Sequence, residues 1–449
     1  MYSRYQNNTF KSLIFLGVLL LNGCATIGQL AVPLESIDKP KGPYGIGTQV
    51  FFWTDEKRSE QYTTDPTDLR KLQVQIWYPA QMKEGYQKTT HMVFPEKTLD
   101  AMASTLNVPA NFIAHGTRLM SNAVQGAPPV KGEKFPLILF SHGDGGVATQ
   151  NLSQVEALVS NGYIVIAPNH TYNASITFDE EGTPAIYQSN ITWSEQTIYS
   201  KKYYANQLIR YRYSDIAFLL DEISKSTLPG SMSNPYYDMI DFERVGMMGH
   251  SMGAGTSYHG LINDKRIKSA VGLDGWFFPL DKKTFSTKTN KPFLHLGQEE
   301  YLSLDIDGDI NNSESGKINF DIHNAILENN TSSFVVYIEK SLHVDFTDYK
   351  QTYIVGRPFT IPISEFGDIS KNKMKNFLLN NRNQQKCCFC GCTMKQAMDE
   401  EHQHLVFASP ESLELMCLSI LHFLLHLFIH LRNLAYRLVP VLNLSLPVN

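Results

Sequence analysis

The chain has 449 residues, 43% hydrophobic and 18% charged, with 39 Lys and Arg against 44 Asp and Glu for a formal net charge of −5. That is the composition of a globular protein of one large domain or two, long enough to bury its own core. A slightly acidic balance excludes a nucleic-acid binder built on a basic surplus and a surface held electrostatically to anionic lipid.

The first element in chain order is a leader. Arg4 and Lys11 give a positive start, Leu13 to Leu21 a short apolar run, and Leu21-Asn22-Gly23-Cys24 small residues ahead of a cysteine. The run is short for a membrane span and has signal-peptide proportions. It resembles a bacterial lipobox, so residues 1–23 are expected to be removed and Cys24 to be lipidated, leaving the protein exported and anchored at the bacterial outer membrane. No cysteine lies between Cys24 and Cys387, which excludes a disulfide framework in the body of the chain.

Residues 24–45 read as a tether, and residues 46–380 as one domain in which strands and helices alternate. Lys71–Tyr78 alternates as a strand does, while Pro136–Ser141 and Tyr163–Ala167 are continuous apolar runs suited to strands buried on both faces. Arg244–Gly249, Ser269–Leu273, Pro292–Gly297 and Ser333–Glu339 repeat that character, with helical spacing at Gln150–Ser160, Gln207–Ile223 and Met252–Leu261. The rhythm predicts an α/β fold, a mostly parallel central sheet with helices on both faces. Two segments interrupt it. Residues 97–126 read as a helical insertion able to cap a site, and residues 301–317 as a polar, turn-rich surface segment. The acidic turn Asp305–Asp309 lacks the glycine and glutamate positions of a calcium loop.

Residues 381–449 change character. Five of the six cysteines fall between Cys387 and Cys417, followed by a Leu- and His-rich stretch with His422, His426 and His430 on one helical face. A metal site using Cys387, Cys390, His402 and His404, a membrane-associated helix, and a tail foreign to the domain are the three readings. The third is favoured, because thiols exposed after export invite oxidation.

The chemistry concentrates at Gly249-His250-Ser251-Met252-Gly253, a G-x-S-x-G sequence directly after a strand and before a helix. Glycines on both sides permit the sharp turn that lifts a serine hydroxyl above the sheet, and the helix N-terminus offers the Met252 N–H to developing negative charge. A serine needs a base, and the base a carboxylate. Of the downstream histidines, His259 lies along the elbow helix, His295 in mid-strand and His323 in a helix-like segment; His343 follows a strand and can return to Ser251. For the acid, Asp274 and the pair Glu299 and Glu300 each end a strand, and the apolar neighbours of Asp274 favour it as a carboxylate with a partner. The glycine-rich loop Ser141-His142-Gly143-Asp144-Gly145-Gly146 follows an early strand, where a second oxyanion donor belongs.

The stretches FPLILFSHGDGG, IDFERVGMMGHSMG, GLDGWFFPL and SLHVDFTDY, with VQIWYPA and NGYIVIAPNH, resemble in order and spacing the plasma-type platelet-activating-factor acetylhydrolases of the α/β-hydrolase fold. The resemblance covers about residues 43 to 350. It implies Ser251 as nucleophile, Asp274 as acid, His343 as base, and the N–H groups of Met252 and Asp144 as oxyanion donors. Asp144 departs from the family, which more usually carries an apolar residue there. The implied activity is hydrolysis of short or oxidised acyl esters, of phospholipids above all, with no cofactor, no metal and no nucleic-acid partner. A carboxylesterase or polyester hydrolase on the same residues, and an idle envelope lipoprotein that only binds, are the alternatives.

Overall fold

The apolar runs assemble into one ten-stranded sheet with helices on its faces, seen in a computed structural model that describes residues 37, 39–105, 110, 119–188, 197–230, 232–298, 310–338, 341–348 and 405–408. The strands are β1 (Gly45–Ser59), β2 (Leu69–Ala80), β3 (Val124–Gln125), β4 (Phe135–Ser141), β5 (Ile164–Asn169), β6 (Ile240–His250), β7 (Ile267–Leu273), β8 (Phe293–Gln298), β9 (Ser333–Ile338) and β10 (Leu405–Ala408). Their spatial order is β10-β9-β8-β7-β6-β4-β5-β2-β1-β3. From β5 through β10 every neighbour pair is parallel, and β2 runs antiparallel to both β5 and β1. The predicted α/β architecture is therefore observed.

Alternation across the sheet explains the continuous apolar runs. In β4, Leu137 and Leu139 join one buried cluster while Ile138 and Phe140 join the cluster on the opposite face. The first cluster is covered by α3 (Ile198–Ile223) through Ile209, Ile216 and Leu219, by α4 (Met252–Asn263) through Tyr258 and Leu261, and by α5 (Ile310–Asn329) through Ile322 and Ile326. On the other face α2 (Leu152–Ser160) contributes Leu152, Val155, Leu158 and Val159.

The described residues add detail to the sequence reading in three segments. Among the described residues of 97–126, helix covers the α1 (Pro95–Thr105) portion and Ala110, while at the far end Met120 bridges Thr90 and β3 pairs with β1. Gly126 at φ 66° makes a turn directly after β3, and Pro128 and Pro129 beyond it lack the N–H groups that a helix would need. Residues 310–317, read as turn-rich surface, are the opening turns of α5. Ile318, Ile322 and Ile326, one helical turn apart, pack on the core and carry the helix through its weak polar start. Leu405–Ala408, inside the segment read as an atypical tail, lie parallel to β9 as β10. Cys24, Glu299, Glu300, the Asp305–Asp309 turn, the Cys387–Cys417 cluster and the helical face of His422, His426 and His430 lie outside the described residues.

Candidate active site

The residues singled out from the sequence sit in loops that leave the carboxyl ends of neighbouring parallel strands, where open α/β sheets place ligands. Ser251 links β6 to α4 with φ 55° and ψ −119°, a region that L residues seldom occupy. Its surroundings enforce the turn. A Cβ at Gly249 would lie 2.2 Å from the Gly253 carbonyl oxygen, and one at Gly253 would lie 2.0 Å from the Ser141 carbonyl oxygen. Both glycines of the motif are thus required by backbone contact, on one side with the helix and on the other with the end of β4. Backbone bonds from Ser251 N–H to Leu273 O at 2.9 Å and from Trp276 N–H to Ser251 O at 3.0 Å lash the elbow to the end of β7.

Asp274 follows β7 immediately, is fully buried, and has φ 42°. Both carboxylate oxygens are occupied: His343 Nδ1 donates to Oδ2 at 2.5 Å, and the Gln298 N–H at the end of β8 donates to Oδ1 at 2.8 Å. A bond from the Asp274 N–H to Leu296 O at 2.6 Å fixes its backbone. His343 begins a short 3-10 turn after β9, and its side chain is 40% exposed, against 0% for Asp274. The structure thus brings together His343 and Asp274, the base and acid expected from the sequence, with His343 at the exposed end. Ser251 lies next door: the ring of His250, its chain neighbour, sits 4.5 Å from that of His343, and His250 Nε2 donates to the His343 carbonyl at 3.1 Å. The Ser251 hydroxyl itself makes no hydrogen bond among the described residues, and such contacts commonly tighten only around substrate. His259, His295 and His323 are buried elsewhere, on α4, β8 and α5.

The loop after β4 closes the other side. Its approach is close, since a Cβ on Gly143 would come within 3.5 Å of Ser251 Cβ. The Gly143 N–H is engaged by Gln150 Oε1 at 3.1 Å and the Gly145 N–H by Asn173 O at 2.9 Å, whereas the Asp144 N–H has no acceptor among the described residues. Met252 opens α4, so its N–H is among those that helix geometry leaves without an intrahelical acceptor. The Asp144 carboxylate is held by Tyr187, whose hydroxyl donates to Oδ2 at 2.8 Å. Burial pushes its pKa up, and the Arg212 guanidinium opposes that shift.

Sequence reasoning missed the scaffold beneath this loop. Arg212 Nη2 on α3 donates to the carbonyls of His142 at 2.6 Å and Gly143 at 3.2 Å. Behind it runs a second Ser–His–Asp chain: Ser141 Oγ to His170 Nε2 at 2.9 Å, and His170 Nδ1 to Asp215 Oδ2 at 2.8 Å. Ser141, His170 and Asp215 are all 0% exposed, so no ester reaches them and the chain is structural. Nothing in local sequence marks these residues, whose partners are distant along the chain.

Comparison with known proteins finds similarity in sequence and in fold. The family described as platelet-activating factor acetylhydrolase, isoform II, matches residues 31–382. The platelet-activating factor acetylhydrolase of Canis lupus familiaris is 24% identical over 375 residues, covering 78% of this chain and 76% of that protein. A probable 1-alkyl-2-acetylglycerophosphocholine esterase of Arthroderma benhamiae is 23% identical over 273 residues, covering 58% and 65%. In fold, a ferulic acid esterase from Streptomyces cinnamoneus superposes with TM-score 0.56 at 21% identity, over 81% of this chain and 98% of that one.

Proposed function

Since the chain belongs to the platelet-activating factor acetylhydrolase, isoform II, family and is an esterase, we propose that it hydrolyses short or oxidised acyl esters of phospholipids through an acyl-enzyme on Ser251. The observation that carries this reading is the Asp274–His343 bond at the mouth of the site beside a strained serine elbow. The Asp274 carboxylate accepts a hydrogen bond from the His343 Nδ1–H, which leaves Nε2 as the base. His343 takes the Ser251 proton as the oxygen attacks the ester carbonyl, and the N–H groups of Met252 and Asp144 receive the oxyanion. The imidazolium then protonates the departing alcohol, and water admitted past the exposed edge of His343 releases the acid by the same steps reversed.

Ser251→Ala is expected to lower turnover of p-nitrophenyl acetate and of short-acyl phosphatidylcholine by about 10³-fold or more with unchanged melting temperature. Normal turnover in that variant would remove Ser251 from the mechanism. Equal preference for aryl, polymeric and phospholipid esters would favour the carboxylesterase or polyester-hydrolase reading. The lipobox-like leader supports anchoring through Cys24 at the bacterial envelope. On that reading Cys24→Ser releases active enzyme from the membrane fraction, and full retention there would refute the anchor.

A further inference from the structure

The two loops that complete the site meet at the start of α2. Gln150 Oε1 accepts the Gly143 N–H at 3.1 Å, and Gln150 Nε2 donates to Asn151 Oδ1 at 2.9 Å. Asn151 Nδ2 in turn donates to the carbonyl of Phe346, three residues beyond His343, at 2.6 Å. The Gln150 carbonyl accepts the Asp348 N–H at 2.8 Å. Both side chains are buried.

Helix capping shows that this arrangement is not incidental. Asn151 occupies the N-cap of α2, a position where Asn ordinarily satisfies a free helix N–H, yet its side chain makes no capping bond. The acceptor comes instead from the histidine loop, as Ser153 N–H donates to Asp348 Oδ2 at 2.8 Å. The loop caps the helix, and the helix's own cap residue holds the loop. Gly146 fits the same design, because a Cβ there would lie 1.9 Å from Gln150 Oε1 and unseat the carboxamide.

We propose that Gln150 and Asn151 are positioning residues that keep the oxyanion loop and the histidine loop in register; the inference rests on the Ser251 reaction proposed above. Oxyanion stabilisation and proton transfer act on one transition state, so a relative shift of the two loops is felt in kcat before it is felt in binding.

Conservative variants separate the links. Gln150→Glu keeps an acceptor for Gly143 but has no amide donor for Asn151. Asn151→Asp keeps an acceptor for Gln150 but has no donor for Phe346. Each is expected to lower kcat on p-nitrophenyl acetate about 10-fold while KM stays within about 2-fold, and the double variant to fall no further than the worse single one, as members of one network do. Gly146→Ala, which displaces the Gln150 carboxamide without altering it, is expected to reproduce the kcat loss and decides the matter if an acidic variant does not fold. Wild-type kcat in these variants alongside an inactive Ser251→Ala overturns the positioning role alone. An active Ser251→Ala overturns the nucleophile and the positioning role with it. Losses that multiply in the double variant, or that fall wholly in KM, also overturn it.

Discussion

Asp274 has a donor on each carboxylate oxygen, and the two donors differ in kind. The Gln298 N–H is fixed by the end of β8, while the His343 Nδ1–H exists only in one tautomer. Asp274→Asn presents an amide N–H where the imidazole proton now points, so it favours the tautomer with its proton on Nε2, which cannot act as base. Turnover is expected to fall by about 10⁴-fold, as when a triad aspartate becomes asparagine, with little change in the thermal midpoint. A loss under about 10-fold would return the acid to Glu299 or Glu300. The sequence singled out Ser251 and His343 because motif, flanking elements and chain order all constrain them. Pattern alone left the acid open, since both candidates end strands. Gln150 and Asn151 were unreadable: the Asn151 contact with Phe346 joins residues 195 apart, and such pairing is decided only when the sheet has formed.

At the scale of elements, α3 does more than cover the sheet. Arg212 and Asp215, three residues apart and thus on one helical face, enter the core together. Asp215 receives Arg70 from β2 at 2.7 Å, Arg58 from β1 at 2.8 Å, and His170 after β5. Burial alone would raise the Asp215 pKa, but Arg70 and His170 hold it well below the carboxylate range. Arg70 also reaches Glu60 at 2.9 Å and lies over the Tyr211 ring, 4.5 Å from its centroid. Asp215→Asn leaves a buried guanidinium with half its charge partners, and about 3–5 kcal/mol of stability is expected to be lost, measurable as a lower urea midpoint. A loss below about 1 kcal/mol would mean that Glu60 alone balances Arg70. The parallel strands themselves were legible, because burial on two faces demands unbroken apolar runs such as Phe135–Ser141. The start of α5 was not. INNSESGK carries no helical periodicity, and its conformation is imposed by the apolar turns that follow.

Across the described residues of the molecule, seven buried histidines share one electrostatic condition. Burial lowers the pKa of His91 and His259 to about 4, of His170 and His323 to about 3, and of His142, His250 and His295 well below the ordinary value. Arg212 adds to the effect at His142 and His170, and His323 at His295, whose ring centroid lies 4.4 Å away. All seven are neutral in the folded protein at pH values where the unfolded chain, with histidines near pKa 6.5, takes up protons. The unfolded state therefore binds more protons below about pH 6.5, and each histidine withdraws about 1.4 kcal/mol per pH unit until its folded pKa is reached. Buried carboxyls work in the opposite sense. Burial raises the pKa of Asp348 to about 6 and also raises those of Asp144 and Glu156, so these three bind protons more readily when folded and add stability as pH falls. Seven groups outweigh three. Stability held above the unfolded histidine pKa is lost on acidification, at a few kcal/mol per pH unit against the about 5–15 kcal/mol of a typical domain. The urea midpoint is expected to stay nearly level from pH 8 to 7, drop steeply below about pH 6, and reach zero before pH 4. His295→Leu, which removes one titrating site between His323 and Phe277, should flatten that slope by about one histidine's share. Equal midpoints at pH 7.5 and 4.5 would show that these histidines are not held neutral in the fold.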